Sequence, residues 1–135
     1  MNPILVDSSV WIGYFRRGDT SDAADLDTLI KSNAACLTPV IRAELLSGTR
    51  TEKEYRLLEN QLSAVQTLQD SDDLWDKAAH ARFRLARRGL QVSLLDLSIA
   101  VVAVHYRCAL FTSDLAFKPI ASILPLKLYR SLPRS

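Results

Sequence analysis

Short apolar runs alternating with longer stretches of helical period set the plan of this chain. Ile4-Leu5-Val6 is apolar throughout and ends at Asp7, as expected of a strand buried on both faces. Ala34 to Thr38 and Ala109 to Thr112 read the same way. Ser8 to Phe15 offers cap residues before an apolar turn, closed by Arg16-Arg17-Gly18-Asp19. Ser21 is placed to cap a helix carrying Ala23, Leu26, Leu29 and Ile30 on one face and closing at Asn33. Thr38-Pro39 is an N-cap followed by proline at the first helical position, so Glu44 falls on the second turn of the helix leaving the second strand, with Gly48 as its stop. Thr51 and Glu54 form a capping box for a helix facing inward through Tyr55, Leu58, Leu62 and Val65. A further helix runs from about Asp72 to Arg88, ends at Gly89 and turns Leu74, Ala78, Ala81 and Leu85 inward. Leu94 to Val104 is apolar on all sides, which predicts a helix buried in the middle of the fold with Asp96 at its start. Leu124, Leu126 and Leu128 alternate as a last strand, which Pro125 and Lys127 make an edge.

Strands alternating with helices predict an α/β fold, a three-layer α/β/α sandwich around a mainly parallel central sheet. With no repeat or linker, 135 residues of which 48% are hydrophobic suit a single domain over residues 1–135. The longest uncharged stretch around the buried helix, Leu97 to Tyr106, is too short to span a bilayer. No basic segment precedes the first apolar residues, so a signal peptide is not expected. The expectation is a soluble, cytoplasmic protein. Cys36 and Cys108 lack Cys or His partners at ligand spacing and are expected to be reduced and buried.

Charge is distributed unevenly. Residues 1–76 hold 13 acids against 7 bases, whereas residues 77–135 hold 10 bases against 2 acids, Asp96 and Asp114. These two exceptions flank the most apolar segment of the chain. Arginine outnumbers lysine 12 to 5, and its fork suits phosphate and carboxylate. Arg82, Arg84, Arg87 and Arg88 could hold RNA phosphates, or could simply be a solvated helix face. A net charge of +2 argues against a generic DNA-coating protein.

In open parallel sheets, binding sites form outside the carboxyl ends of the strands. Asp7 and Asp114 are placed at such ends, Glu44 lies one to two helical turns beyond another, and Asp96 opens the buried helix. Four carboxylates from distant segments can therefore meet at one sheet edge, with no Lys or Arg within four residues of Asp7 or Asp96. Gathered like charges must raise their pKa values or bind a cation. Oxygen ligands without Cys or His favour Mg²⁺ or Mn²⁺ over Zn²⁺. Such an ion would bridge carboxylates and phosphate oxygens and activate water for in-line attack.

The order Val6-Asp7-Ser8-Ser9-Val10-Trp11-Ile12, Arg42-Ala43-Glu44-Leu45, Leu95-Asp96-Leu97-Ser98-Ile99-Ala100 and Phe111-Thr112-Ser113-Asp114-Leu115-Ala116-Phe117 resembles the PIN-domain ribonucleases. Over essentially the whole chain it is similar to the small VapC-type toxins of type II toxin–antitoxin pairs. The resemblance implies a metal-dependent endoribonuclease using Mg²⁺ or Mn²⁺, with Asp7, Glu44, Asp96 and Asp114 as the catalytic and metal-binding acids and Ser9 and Thr112 as polar support. It also implies an RNA substrate, a homodimer and a small antitoxin covering the active-site groove. Some members carry a further polar residue between the Asp114 and Phe117 positions; here Ala116 offers no ligand to a second ion.

Other readings remain open on the residues alone. A dehalogenase-type phosphatase would want an acid at position 9, where Ser9 stands, and a receiver module would want paired acids after the first strand, where Asp7 is followed by Ser8 and Ser9. A PIN fold kept only for binding is the third. Trp11, Tyr14 and Phe15 could form a partner groove near Asp7 or serve ordinary core or dimer packing. His80 and His105 read as structural, being far from any acid motif.

Overall fold

The computed structural model describes residues 3–16 and 18–129; Arg17, read above as part of the close of the first helix, lies outside them, as do residues 130–135. The elements in chain order are β1 (Ile4–Val6), α1 (Ser8–Arg16), α2 (Ser21–Lys31), β2 (Ala35–Leu37), α3 (Pro39–Ser47), α4 (Glu52–Leu62), β3 (Gln66–Thr67), α5 (Asp72–Arg87), α6 (Leu94–His105), β4 (Ala109–Phe111) and α7 (Phe117–Ile120). Among the described residues every strand pairing within the sheet is parallel, in the order β3-β2-β1-β4. Leu5 and Val6 of β1 and all of β2 are buried, as strands covered on both faces must be. This is the expected α/β/α sandwich.

The topology fixes where a site can form. From β1 the chain moves outward to β2 and β3, then returns to place β4 on the other side of β1. The order therefore reverses between β1 and β4, and the crevice beyond their carboxyl ends is the natural binding position in such a sheet. Asp7 follows one of these strands and Thr112 to Asp114 follow the other.

The apolar core joins the sheet to α1, α3, α5 and α6. Trp11 is fully packed, and its Nε1–H donates to the Val6 carbonyl at 3.0 Å, pinning α1 to the end of β1. Helix α6 is buried over Leu97 to Ala103, as its uninterrupted hydrophobicity predicts. Helices α5 and α6 run as an antiparallel hairpin. Tyr106 Oη, just past α6, donates to the Gln69 carbonyl just before α5 at 3.0 Å, and Leu74 and Lys77 share a cavity wall with Val104 and His105. Gly89, at φ 77°, lets the chain leave α5 through a left-handed residue that a side chain would strain. Cys36 and Cys108 are free and buried.

Several local expectations are corrected. Thr20, and not Ser21, caps α2, its hydroxyl accepting from the Ala23 N–H at 3.1 Å. Thr51 caps α4 as expected, but Glu54 accepts from the Arg50 N–H instead of closing the box on Thr51. Tyr55 lies at the surface, because only Leu62 of α4 is buried and the helix rests on the fold by its last turn and a half-buried Leu58. Strand β3 was not legible, since Gln66-Thr67 offers no apolar run. The predicted strand at Leu124 to Leu128 is reduced to one bridge, Leu128 beside Leu110, because Pro125 has no N–H to extend a ladder. Gly48 does end α3, but in the right-handed region. Asp96 lies at the start of α6 as expected: Ser93 caps the helix, and Asp96 sits in the first turn with its own N–H donating to Ser93 Oγ at 3.1 Å.

Buried Thr38 links fold to site, since its hydroxyl accepts from the Ile41 N–H at 3.2 Å and starts the helix that carries Glu44. Thr38→Ala should lower the unfolding free energy by about 1–2 kcal/mol in urea titrations, and Thr38→Ser should recover most of it. Equal stability of all three proteins would contradict this.

Candidate active site

Asp7 anchors the site. It follows β1, is only 4% exposed, and its backbone N–H donates to the Phe111 carbonyl of β4 at 2.9 Å. A buried carboxylate needs hydrogen-bond donors. Two hydroxyls supply them: Ser9 Oγ at 2.8 Å and Thr112 Oγ1 at 2.9 Å both donate to Asp7 Oδ2. The same oxygens also accept, Ser9 Oγ from the Ser113 N–H at 3.2 Å and Thr112 Oγ1 from the Asp114 N–H at 3.0 Å. Asp114 is exposed, and its Oδ1 accepts from the Ala116 N–H at 2.9 Å. One hydrogen-bond chain thus runs from β1 through α1 to the loop after β4, and it includes both residues expected as polar support.

The remaining acids enter from two helices. Glu44, on α3, accepts from Ser8 Oγ at a long 3.5 Å, which connects it to the first residue of α1. Asp96 is in the first turn of α6. Both carboxyls are held above the usual carboxylate range. For Glu44 the main cause is burial, followed by the charges of Asp7 and Asp96. For Asp96 it is again burial, opposed by the Ser93 hydrogen bond and reinforced by the charges of Asp7 and Asp114. The four acids from distant segments therefore act on one another electrostatically. Ser8 was read only as a cap residue and Ser93 was not singled out from the sequence; each is a hydroxyl at a helix start, the signal that could have tied them to the site.

Among the described residues no three His, Cys, Asp or Glu side chains are grouped closely enough to enclose an ion unaided. Mg²⁺ commonly takes one or two carboxylates and keeps several waters, so an all-oxygen set spread around a crevice fits a hydrated hard cation better than a dedicated cage. Asp7, Asp96 and Asp114 flank that crevice, and Glu44 lies within reach of the charges of Asp7 and Asp96.

The other candidate residues separate. Trp11 belongs to the core, half-buried Tyr14 donates to Asp27 Oδ1 at 3.0 Å, and Phe15 lines a groove. That groove, of about 520 Å³, begins at Glu44 and passes Ile12, Phe15, Leu57 and Gln61 between α1, α3 and α4. His80, His105 and Arg84 line a different cavity between α5 and the far end of α6, away from the acids. Arg82 lies on the opposite flank of α5, beside the loop that leads to Asp96.

Comparison with known proteins bears on the family and the fold. The PIN domain family matches residues 4–123. The chain is 30% identical over 128 residues to the VapC ribonuclease Mb1587 of Mycobacterium bovis and to ribonuclease VapC11 of Mycobacterium tuberculosis, an overlap of 92% of this chain and 96% of each relative. In fold it is similar to DNA-bound VapBC from Salmonella typhimurium (TM-score 0.77, 16% identity, 96% of this chain and 98% of the other). VapBC2 of Rickettsia felis bound to a promoter DNA fragment is similar at a TM-score of 0.75 with 21% identity, covering 93% and 96% of the two chains.

The raised carboxyls have a consequence for stability in chelator. A native pKa above the unfolded one means that ionisation disfavours the fold; the penalty is absent below the unfolded value, roughly 4, and grows as pH rises through the native one. Asp96→Asn should therefore stabilise the chelated protein at pH 7 and flatten its loss of stability between about pH 4 and 7. The gain should be under about 1 kcal/mol, since solvent screens a partly exposed group. Thermal melts showing a less stable variant at pH 7 would contradict it.

Proposed function

Because the chain belongs to the PIN-domain family and within it to the VapC ribonucleases, we propose that it is a Mg²⁺- or Mn²⁺-dependent endoribonuclease, the toxin of a toxin–antitoxin pair, with residues 1–135 as one nuclease unit. The observation that carries the reading is the buried Asp7 carboxylate, oriented by Ser9 and Thr112, with Glu44, Asp96 and Asp114 in electrostatic range at the β1/β4 crevice. Asp7, Asp96, Asp114 and Glu44 would hold the ion. When bound, such an ion polarises a phosphate and lowers the pKa of water.

The protein's own contribution is positional. Ser9 and Thr112 fix the Asp7 carboxylate against rotation, so that its direction does not depend on the ion. The Asp114 backbone N–H is tied to Thr112, which holds the loop after β4 against the same carboxylate. The N-terminal ends of α1 and α6 both open onto the crevice, where their partial positive charge favours anionic groups. Ala116 leaves the Asp114 side without a further acid, consistent with one ion. A cognate antitoxin is the expected partner, since solved structures similar in fold include toxin–antitoxin complexes. The groove that starts at Glu44 is its seat in this reading: Leu57 and Phe15 are exposed there, and a chain laid along it would cover the carboxylate. The toxin itself is read as a homodimer. Among the described residues no helix is long and apolar enough to cross a membrane.

Purified, partner-free protein incubated with mixed RNA should cleave only with Mg²⁺ or Mn²⁺ and leave 5′-phosphate and 3′-hydroxyl ends. Asp96→Asn should reduce turnover by at least about 100-fold and Thr112→Val by about 10- to 100-fold, the range for a group that orients a ligand. His105→Ala should leave it unchanged. Products ending in 2′,3′-cyclic phosphate in the presence of chelator would overturn the reading, since they report attack by the 2′-hydroxyl without an ion.

A further inference from the structure

One face of α5 carries chemistry that the acid site does not use. Phe83 points away from the buried stripe of Leu74, Ala78, Ala81 and Leu85 and is 55% exposed, unusual for a large aromatic side chain. It is not isolated. The Arg87 guanidinium lies over its ring at 4.7 Å from the centroid, and His80 stacks beside it at 6.4 Å with an interplanar angle of 14°. Residues 80, 83 and 87 are spaced three and four apart, so the helix itself holds this stack in line.

The strip continues toward the carboxylates. Phe83, Arg82 and Ala86 share a groove of about 310 Å³ with Leu90, Val92 and Leu94 of the turn into α6. Leu94 and the 47%-exposed Leu95 are the two residues before Asp96. Because α5 and α6 are antiparallel, the arginine-rich end of α5 lies at the same end of the hairpin as Asp96. Arg82, Arg87 and Arg88 are exposed and form no ion pair among the described residues.

An exposed aromatic–guanidinium stack amid uncompensated arginines suits a single-stranded polyanion whose bases have flat faces. We propose that this strip is a track for single-stranded RNA flanking the cleaved bond, in which a base stacks on the Phe83–Arg87 pair while Arg82 and Arg88 meet phosphates. The inference rests on the nuclease reading above and adds a base contact to it. A second copy of the chain fits this face less well: a two-fold axis through the strip would set its arginines against their own copies, whereas phosphates neutralise them. Phe83 backs the Arg87 plane and removes its freedom to fold away, so that stacking on it costs little further ordering.

The test uses the full chain in chelator, to prevent cleavage, with a fluorescently labelled mixed-sequence single-stranded RNA and an abasic ribose-phosphate oligomer of equal length as probes. Arg87→Lys keeps the charge and loses the plane. It should weaken RNA binding by about fivefold or more, the range for one stacked base, while leaving the abasic oligomer and the salt dependence unchanged. Arg88→Ala should instead lower the salt slope by about 0.7, one phosphate contact on a single strand, for the RNA and the abasic oligomer alike. Phe83→Ala should resemble Arg87→Lys, and Phe83→Leu, which keeps the apolar volume, should lose the same discrimination. If wild type binds and, with Mg²⁺ or Mn²⁺, cleaves RNA but all four variants match it, the track is wrong and the nuclease reading stands. If wild type neither binds nor cleaves RNA, the reading beneath it fails as well. Sedimentation showing that Phe83→Ala converts an oligomer to a monomer would assign the face to a second copy and overturn the proposal.

Discussion

The arrangement depends on one buried carboxylate. Asp7 has to lie at the end of the central strand β1, out of water, and the structure meets that demand locally, with a hydroxyl from the helix that follows β1 and another from the end of β4. The two donors come from positions 9 and 112, so keeping Asp7 solvated by protein also holds the two strands in register at their carboxyl ends. An apolar residue in place of Asp7 would orphan two hydroxyls and, through them, loosen the loop that carries Asp114. Stability and site geometry are therefore served by the same hydrogen bonds.

The acids gathered around Asp7 work against the fold. Burial and mutual repulsion raise the carboxyls of Glu44 and Asp96, and no ion pair among the described residues offsets them. Arginines are plentiful, but those of α5 stay on its solvent side. A protein with that many bases in its second half and only two acids there keeps both acids beside the crevice. Such local conflict is expected at functional sites, where one rule of stable folding is set aside for chemistry. The favourable ends of α1 and α6 reduce the repulsion without removing it, and a hard cation is the counter-charge that fits an all-oxygen set.

Much of this was legible in the sequence because the informative residues obey strong local rules. Continuous apolar runs marked β1, β2 and β4, and the uninterrupted hydrophobicity of α6 marked its burial. The four acids could be placed at strand ends and helix starts from those elements alone, and the resemblance to the PIN-domain ribonucleases rested on the same residues. What was not legible depended on tertiary pairing. Gln66-Thr67 becomes a strand only because β2 offers it an edge, and Leu124 to Leu128 fails to become one although its alternation is right. Tyr55 has the spacing of a core residue but borders an open cavity between α3 and α4, beside Pro39 and Leu46, and stays at the surface. At the start of α2 the choice between adjacent hydroxyls, Thr20 or Ser21, is settled by a single residue of phase. Phe83 escaped notice because it lies off the inward stripe of Leu74, Ala78, Ala81 and Leu85, and its contact with Arg87 needs the side-chain geometry to be seen.

The antiparallel hairpin of α5 and α6 extends the chemistry of the crevice outward, from Asp96 along Leu94 and Leu95 to the Phe83–Arg87 stack. On the other side, the groove at Glu44 offers a partner a route to the same carboxylates. The central claim beneath both is that carboxylates from four separate segments share one hard cation at the β1/β4 crevice. Its most direct measurement is a Mn²⁺ titration of the full-length chain, with free ion followed by electron paramagnetic resonance and Mg²⁺ added as competitor. The account predicts saturable binding displaced by Mg²⁺, weakened by about 10-fold or more in Asp7→Asn and Asp96→Asn. Saturable binding of the same affinity in wild type and both variants, or cleavage of RNA by wild type with no binding at all, would contradict it.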